Sequence, residues 1–114
     1  MLPQINRLKL DDDFQKVFRA GKNSENTLIK IKFIKNKKKH SRFGFVISNK
    51  LAKRAVARNL IKRRLRFAAS ALLKNIRPGI DIVIWPKIIC VKSDYSHILN
   101  ALKEILIKND FLLV

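Results

Sequence analysis

The chain has 114 residues, with 26 Lys and Arg against 8 Asp and Glu, a formal charge of +18 and a pI near 10.8. That length suits one domain with a modest core, and 47% hydrophobic residues with only three Gly and three Pro exclude a disordered basic tail. No stretch reaches transmembrane length, the first ten residues lack the apolar centre of a secretory signal, and the lone Cys90 excludes an intrachain disulfide, so a cytoplasmic protein is expected.

The first predicted element is a helix from about Asp12 to Ala20, capped by the cluster Asp11 to Asp13, whose carboxylates complement helix N-terminal amides, and closed by Gly21. From Thr27 to Lys35 the sequence alternates. Ile29, Ile31 and Phe33 fall on one face and Lys30 and Lys32 on the other, which predicts a half-buried strand with its lysines toward solvent or a ligand. Asn36 to Ser41 reads as a polar loop, and Arg42 to Ser48 as a second strand paired with the first in a hairpin. From Ala55 the apolar period changes to 3.6, with Ala57, Ile61, Leu65, Ala68 and Leu72 in one stripe. This helix should end near Asn75, because Arg77, Pro78 and Gly79 do not continue it. Ile80 to Trp85 predicts a third strand. Ile98, Leu102, Ile105 and Leu106 predict a final helix, with Asp94 or Ser96 as its cap. Cys90, in an apolar run, is expected as a small buried hydrophobe. His40 and His97 stand far apart and no metal-ligand spacing occurs. A hairpin, a crossover helix, a strand and a terminal helix predict a single α/β two-layer sandwich, one sheet with helices packed against it.

The charge is unevenly placed. No acid occurs between Asn26 and Ile80, and the seventeen residues Lys50 to Arg66 hold eight bases. Arg54, Arg58, Lys62 and Arg66 recur every four residues, Asn59 and Arg63 widen the same surface, and Lys50 and Lys53 lead into it. Like charges at this spacing cost ~0.2 to 0.5 kcal/mol per pair, so a polyanion that neutralises them is the natural partner, and the segment reads as an RNA-gripping helix. An ordinary solvated face fits poorly with eight cations and no acid. A DNA-binding helix would call for a twofold dimer of which there is no sign. A membrane-surface helix would need the apolar stripe that the sheet requires. Asn59 is a mediocre helix former in mid-helix, which favours a hydrogen-bonding use. Lys35, Lys37, Lys38 and Lys39 read as a solvated loop. Phe14 and Phe18, four apart on the first helix, read from spacing alone as core.

Gly44 to Arg66 (GFVISNKLAKRAVARNLIKRRLR) resembles the signature of the bacterial ribonuclease P protein subunit, whose basic helix carries Arg-Asn and, after two residues, Lys-Arg. Here these are Arg58, Asn59, Lys62 and Arg63. Arg7-Leu8, then Asp13-Phe14-Gln15-Lys16-Val17-Phe18 and Gly21, is similar to the family's first helix. Pro78-Gly79-x-Asp81 and the apolar run after it resemble its later strand. The resemblance implies a ribonucleoprotein that removes the 5′ leader from precursor tRNA, with Mg2+ and the chemistry carried by the RNA subunit and no catalytic residue in the protein. It implies that Lys50, Lys53, Arg54, Arg58, Asn59, Lys62, Arg63 and Arg66 hold the catalytic RNA, while Phe14, Phe18, Lys30 and Lys32 line a cleft for the single-stranded leader. It also implies a fold like a ribosomal-protein domain with a left-handed crossover. Many relatives have an apolar or aromatic residue near Lys32, a hydroxyl near Val46 and a base near Asn49, so leader contact here is expected to be more electrostatic. The alternative is a non-enzymatic RNA-binding module such as a small ribosomal or assembly protein, which lacks a reason to combine these motifs.

Overall fold

The alternating segment forms strand β2 (Ile29–Lys35), with Ile29 and Ile31 fully buried and Lys30 exposed. In the computed structural model, which describes residues 2–113, β2 is one of four strands. A 3₁₀ turn (Gln4–Asn6) and helix α1 (Asp11–Ala20) lead into β1 (Lys22–Glu25), β2 and β3 (Arg42–Phe45). Helix α2 (Ala55–Leu72) then crosses to β4 (Ile80–Pro86), a single-turn α3 (Ile88–Val91) and the terminal helix α4 (Tyr95–Lys108).

The sheet order is β1-β2-β4-β3, so β2 and β3 do not form the hairpin expected between them. β4 lies between the two, antiparallel to β2 and parallel to β3. The reason is its composition: IDIVIWP is apolar on both faces, and a strand covered on both sides belongs in the middle of a sheet. The hairpin partner of β2 is instead β1, whose sequence KNSE shows no apolar alternation and lies largely exposed at the sheet edge. Asn26 makes the turn between them. Its side-chain carbonyl accepts from the amides of Leu28 and Ile29 at 3.1 and 3.0 Å, and its Nδ2 donates to the Ala101 carbonyl of α4.

One face of the sheet presents Ile29, Ile31, Phe43, Ile82 and Ile84 to the apolar sides of α2 and α4. Ile61, Leu65, Ala68 and Leu72 of the predicted stripe are all buried there, as are Ile98, Leu102, Ile105 and Leu106 of α4. Each of the Ile, Leu and Phe side chains contributes ~1.5 to 3 kcal/mol by leaving water. The second face is smaller, built from Leu8, Val17 and Val83 with Phe14, Phe18, Ile34 and Trp85 packed around them. α1 and the segment around Leu8 cover this face, with cavities beside Phe14.

The caps divide. Asp94 caps α4 as expected, its carboxylate accepting from the His97 amide at 2.9 Å, and that hydrogen bond holds the carboxyl below its usual range. Asp11 to Asp13 do not cap α1; the cap position is Leu10 and the three acids occupy the first turn. There they still favour the positive end of the helix dipole, and Asp13 has a further use. Arg42 of β3 donates from Nε and Nη2 to the two oxygens of Asp81 in β4 at 2.9 and 2.7 Å, and from Nη1 to Asp13 at 3.1 Å. Asn36 donates to the same Asp81 at 2.7 Å. This cluster fastens the start of α1 to the sheet.

Cys90 is fully buried in α3, and desolvation pushes its thiol up to about 11. The folded protein is therefore expected to resist alkylation by iodoacetamide at pH 8 and to react at the rate of an ordinary thiol once unfolded in denaturant. Rapid labelling of the native chain would contradict this burial.

Candidate nucleic-acid interface

The Arg-Asn helix begins after a loop, residues 48–54, that carries three cations of its own. Lys50, Lys53 and Arg54 are all exposed, and Arg54 occupies the cap position of α2. A polar loop of this kind needs a fastening, and Arg58 supplies it. Its Nη1 donates to the carbonyls of Ala52 and Lys53 at 2.9 and 2.8 Å, across the first turn of the helix. So Arg58 is only partly available to a phosphate; one of its nitrogens holds the loop that presents the others. The side chains of Lys50, Lys53, Arg54, Lys62 and Arg63 make no hydrogen bond or ion pair with the described residues. Asn59 is exposed beside them. Arg64 turns away from this surface and donates to the Ser93 carbonyl at 3.1 Å.

Across from α2 lies the first aromatic of α1. Phe14 borders a cavity of about 310 Å³ with Phe45, Val46, Arg58, Asn59 and Lys62. It also borders one of about 290 Å³ to which Arg7, Lys9, Lys62 and Arg66 contribute four cations and no acid is added. The ring can lie this low because β3 has Gly44 beneath it, where a Cβ would stand 2.4 Å from the ring. Phe14 is followed by Phe18 at 6.1 Å between centroids, and Phe18 by Trp85 at 5.7 Å. Lys30 ends the row, its ammonium 5.9 Å from the Trp85 centroid. The spacing-only assignment of Phe14 and Phe18 to core is half right: both rings pack on the small second cluster and both are partly exposed at its rim.

The two surfaces that the sequence separates, helix stripe and strand face, therefore meet at Phe14. Lys30 is exposed on the strand face and lies over Trp85. Lys32 does not stand free there, because its ammonium donates to the Phe18 carbonyl at 2.6 Å, where the C-terminal end of α1 attracts a cation. Trp85 was not among the expected site residues, although parity could have found it: it shares a face with Val83, opposite Ile82 and Ile84. The acids offer little general-base chemistry. Asp13 and Asp81 are held by Arg42, Glu25 pairs with Lys87 and Asp110 with Arg77, and among the described residues no three His, Cys, Asp or Glu group together. No helix of the described residues is long and apolar enough to cross a membrane.

A small α/β fold with a cationic helix beside a row of aromatic rings defines a basic protein of the RNA-binding class. The sequence matches the Ribonuclease P family over residues 2–110. It is 38% identical over 107 residues to the ribonuclease P protein component of Picosynechococcus sp., covering 94% of this chain and 92% of the relative. It is 40% identical over 111 residues to that of Microcystis aeruginosa, with the same coverage. The fold superimposes on the RNase P protein from Thermotoga maritima with a TM-score of 0.82, 30% identity and coverage of 90% of this chain and 96% of that one. A Staphylococcus aureus RNase P protein mutant, described as defective in mRNA degradation activity, gives a TM-score of 0.87 at 27% identity over 96% of this chain and 92% of its own. This chain belongs to the ribonuclease P protein family.

Proposed function

We propose that the chain serves ribonuclease P, the enzyme of tRNA 5′ maturation, as the subunit that grips RNA at two adjoining places. Lys50, Lys53, Arg54, Asn59, Lys62, Arg63 and Arg66, with Arg58 holding their loop, engage the catalytic RNA. Phe14, Phe18, Trp85 and Lys30 receive the unpaired 5′ leader of precursor tRNA, rings stacking on bases and the ammonium meeting a phosphate. The observation that carries this is the junction at Phe14, where unpaired cations of α2 continue into the aromatic row with no acid between. Hydrolysis belongs to the RNA and the Mg2+ that it holds. The protein's part is to bind and align, and its place of work is the cytoplasm. Family membership favours this assignment over a ribosomal or assembly protein.

Reconstitution tests it. The protein alone is expected to leave precursor tRNA intact at any magnesium concentration and, added to a bacterial ribonuclease P RNA, to support cleavage at the 5′ end of the mature tRNA. With that RNA present, Lys30→Ala and Phe18→Leu should weaken precursor tRNA binding and leave mature tRNA, which has no leader, unaffected. Lys32 is a poor choice for this test, since removing it also frees the end of α1. Site-specific cutting by RNA-free protein, or equal weakening for both tRNAs, would sink the assignment.

A further inference from the structure

On the outer side of α2, Asn59, Arg63, Arg66 and Phe67 recur at intervals that bring them to one flank of the helix. They line a groove of about 270 Å³ with no acidic residue in it. Phe67 is 47% exposed and packs into neither apolar cluster. A scattered exposed apolar side chain needs no explanation, but this ring stands among three donor residues on the most cationic surface of the protein. A carboxylate at this position would pair with Arg63 one turn earlier and relieve the like-charge repulsion; the phenyl ring forgoes that pairing. Arg66 adds an independent sign. Its Nε–H is buried and has no hydrogen-bond partner among the described residues, a state that native proteins rarely leave uncompensated. Its side chain borders both this groove and the Phe14 cavity.

We propose that this groove holds one unpaired nucleotide of the RNA lying along α2. The base stacks on the face of Phe67, the phosphate accepts from Arg63 and Arg66, and the Asn59 amide reaches the base edge. A volume just below the ~300 to 1,000 Å³ of pockets for drug-sized ligands is on the scale of a single nucleotide. A stacked base is the ligand that uses a ring and cations together, since every base has a π-face and carries a phosphate. The inference rests on the assignment of α2 to the catalytic RNA and adds stacking on Phe67 to the charge contacts of that helix.

The test is equilibrium binding of the full chain to a bacterial ribonuclease P RNA transcribed in vitro, with dimethyl sulfate probing of the complex. Phe67→Ala should weaken binding by ~5- to 150-fold, the range expected for one lost stack. Phe67→Leu, which keeps apolar bulk, should lose nearly as much, and Phe67→Trp should bind at least as well as the parent. None of these changes removes a charge, so the dependence on salt should keep its slope, whereas Arg63→Ala should lower that slope by about one. One base protected by the parent should become reactive with Phe67→Leu. Parent-like affinity and protection for Phe67→Leu, with the parent binding tightly, would overturn the proposal and leave the assignment of α2 standing. Failure of the parent itself to bind this RNA would overturn both. Thermal melts of each variant separate a folding defect from a lost contact, and Phe67→Leu, at an exposed site, should melt like the parent.

Discussion

RNA affinity is expected to fall by ~10³ to 10⁵ between 50 and 200 mM monovalent salt, as it does when ~6 to 10 phosphates are neutralised. Among the described residues Lys50, Lys53, Arg54, Lys62 and Arg63 stand without a partner, and Arg66 adds a sixth cation at the groove edge, so the lower end of that range is the minimum. Titrating a labelled ribonuclease P RNA across a KCl series gives the slope directly. Lys62→Ala should lower it by about one. Arg58→Ala should weaken binding by more than its own charge accounts for, because it releases the Ala52 and Lys53 carbonyls and with them the loop bearing three further cations. A nearly flat salt response would show that the cationic face is not where RNA lies.

Arg42→Ala is expected to destabilise the fold by ~3 to 5 kcal/mol, the cost of leaving a buried acid without its cation. The side chain of Asp81 is only 7% exposed and that of Arg42 15%, so water cannot replace the lost hydrogen bonds. For a chain of this size the melting temperature should drop by roughly 10 to 20 °C. The paired change Arg42→Met with Asp81→Leu, which removes both charges together, should recover a large part of the loss. If the double variant were as unstable as Arg42→Ala, the cluster would be acting through shape and not through charge. Binding should respond as well. Asp13, the third member, directly precedes Phe14, so a free Asp13 lets the ring that joins the two RNA surfaces shift on the sheet.

Where a local pattern decided the structure, the sequence foretold it. The 3.6 period of Ile61, Leu65 and Leu72 placed the cationic stripe of α2 toward solvent because the apolar side had one place to go. The alternation of Ile29 to Lys35 likewise put Lys30 on the exposed face of the sheet, over Trp85. Pairing was harder to read, since it depends on competition between distant strands: β4 displaced β3 from β2 by burying both faces, and β1 carried no apolar signal at all. The site shows the same division. Charge density announced the helix, but charge alone could not show that Arg58 fastens a loop or that Lys32 is engaged by the Phe18 carbonyl. Those are contacts between segments far apart or differently folded, and they exist only once α1 and the loop have docked. The family resemblance supplied Phe14 and Phe18 where spacing favoured core, and it did not supply Trp85, whose exposure comes from the short reach of α1 over the second face.

The position of β4 has a consequence for how the protein is made. A strand that pairs with β2 on one side and β3 on the other emerges from the ribosome only after α2. Until residue 86 has emerged, the growing chain can form the β1–β2 hairpin but has no complete sheet on which the apolar side of the basic helix can settle. Most of a helix's stability in a protein comes from packing its apolar face, and a parallel closure of this kind is intrinsically slow because the loop entropy is met before the contacts form. Competence to hold RNA is thus withheld until the last third of the chain exists, when the helix, its loop and the aromatic row are assembled together. A nascent chain stalled before that point carries its cations without the sheet that arranges them.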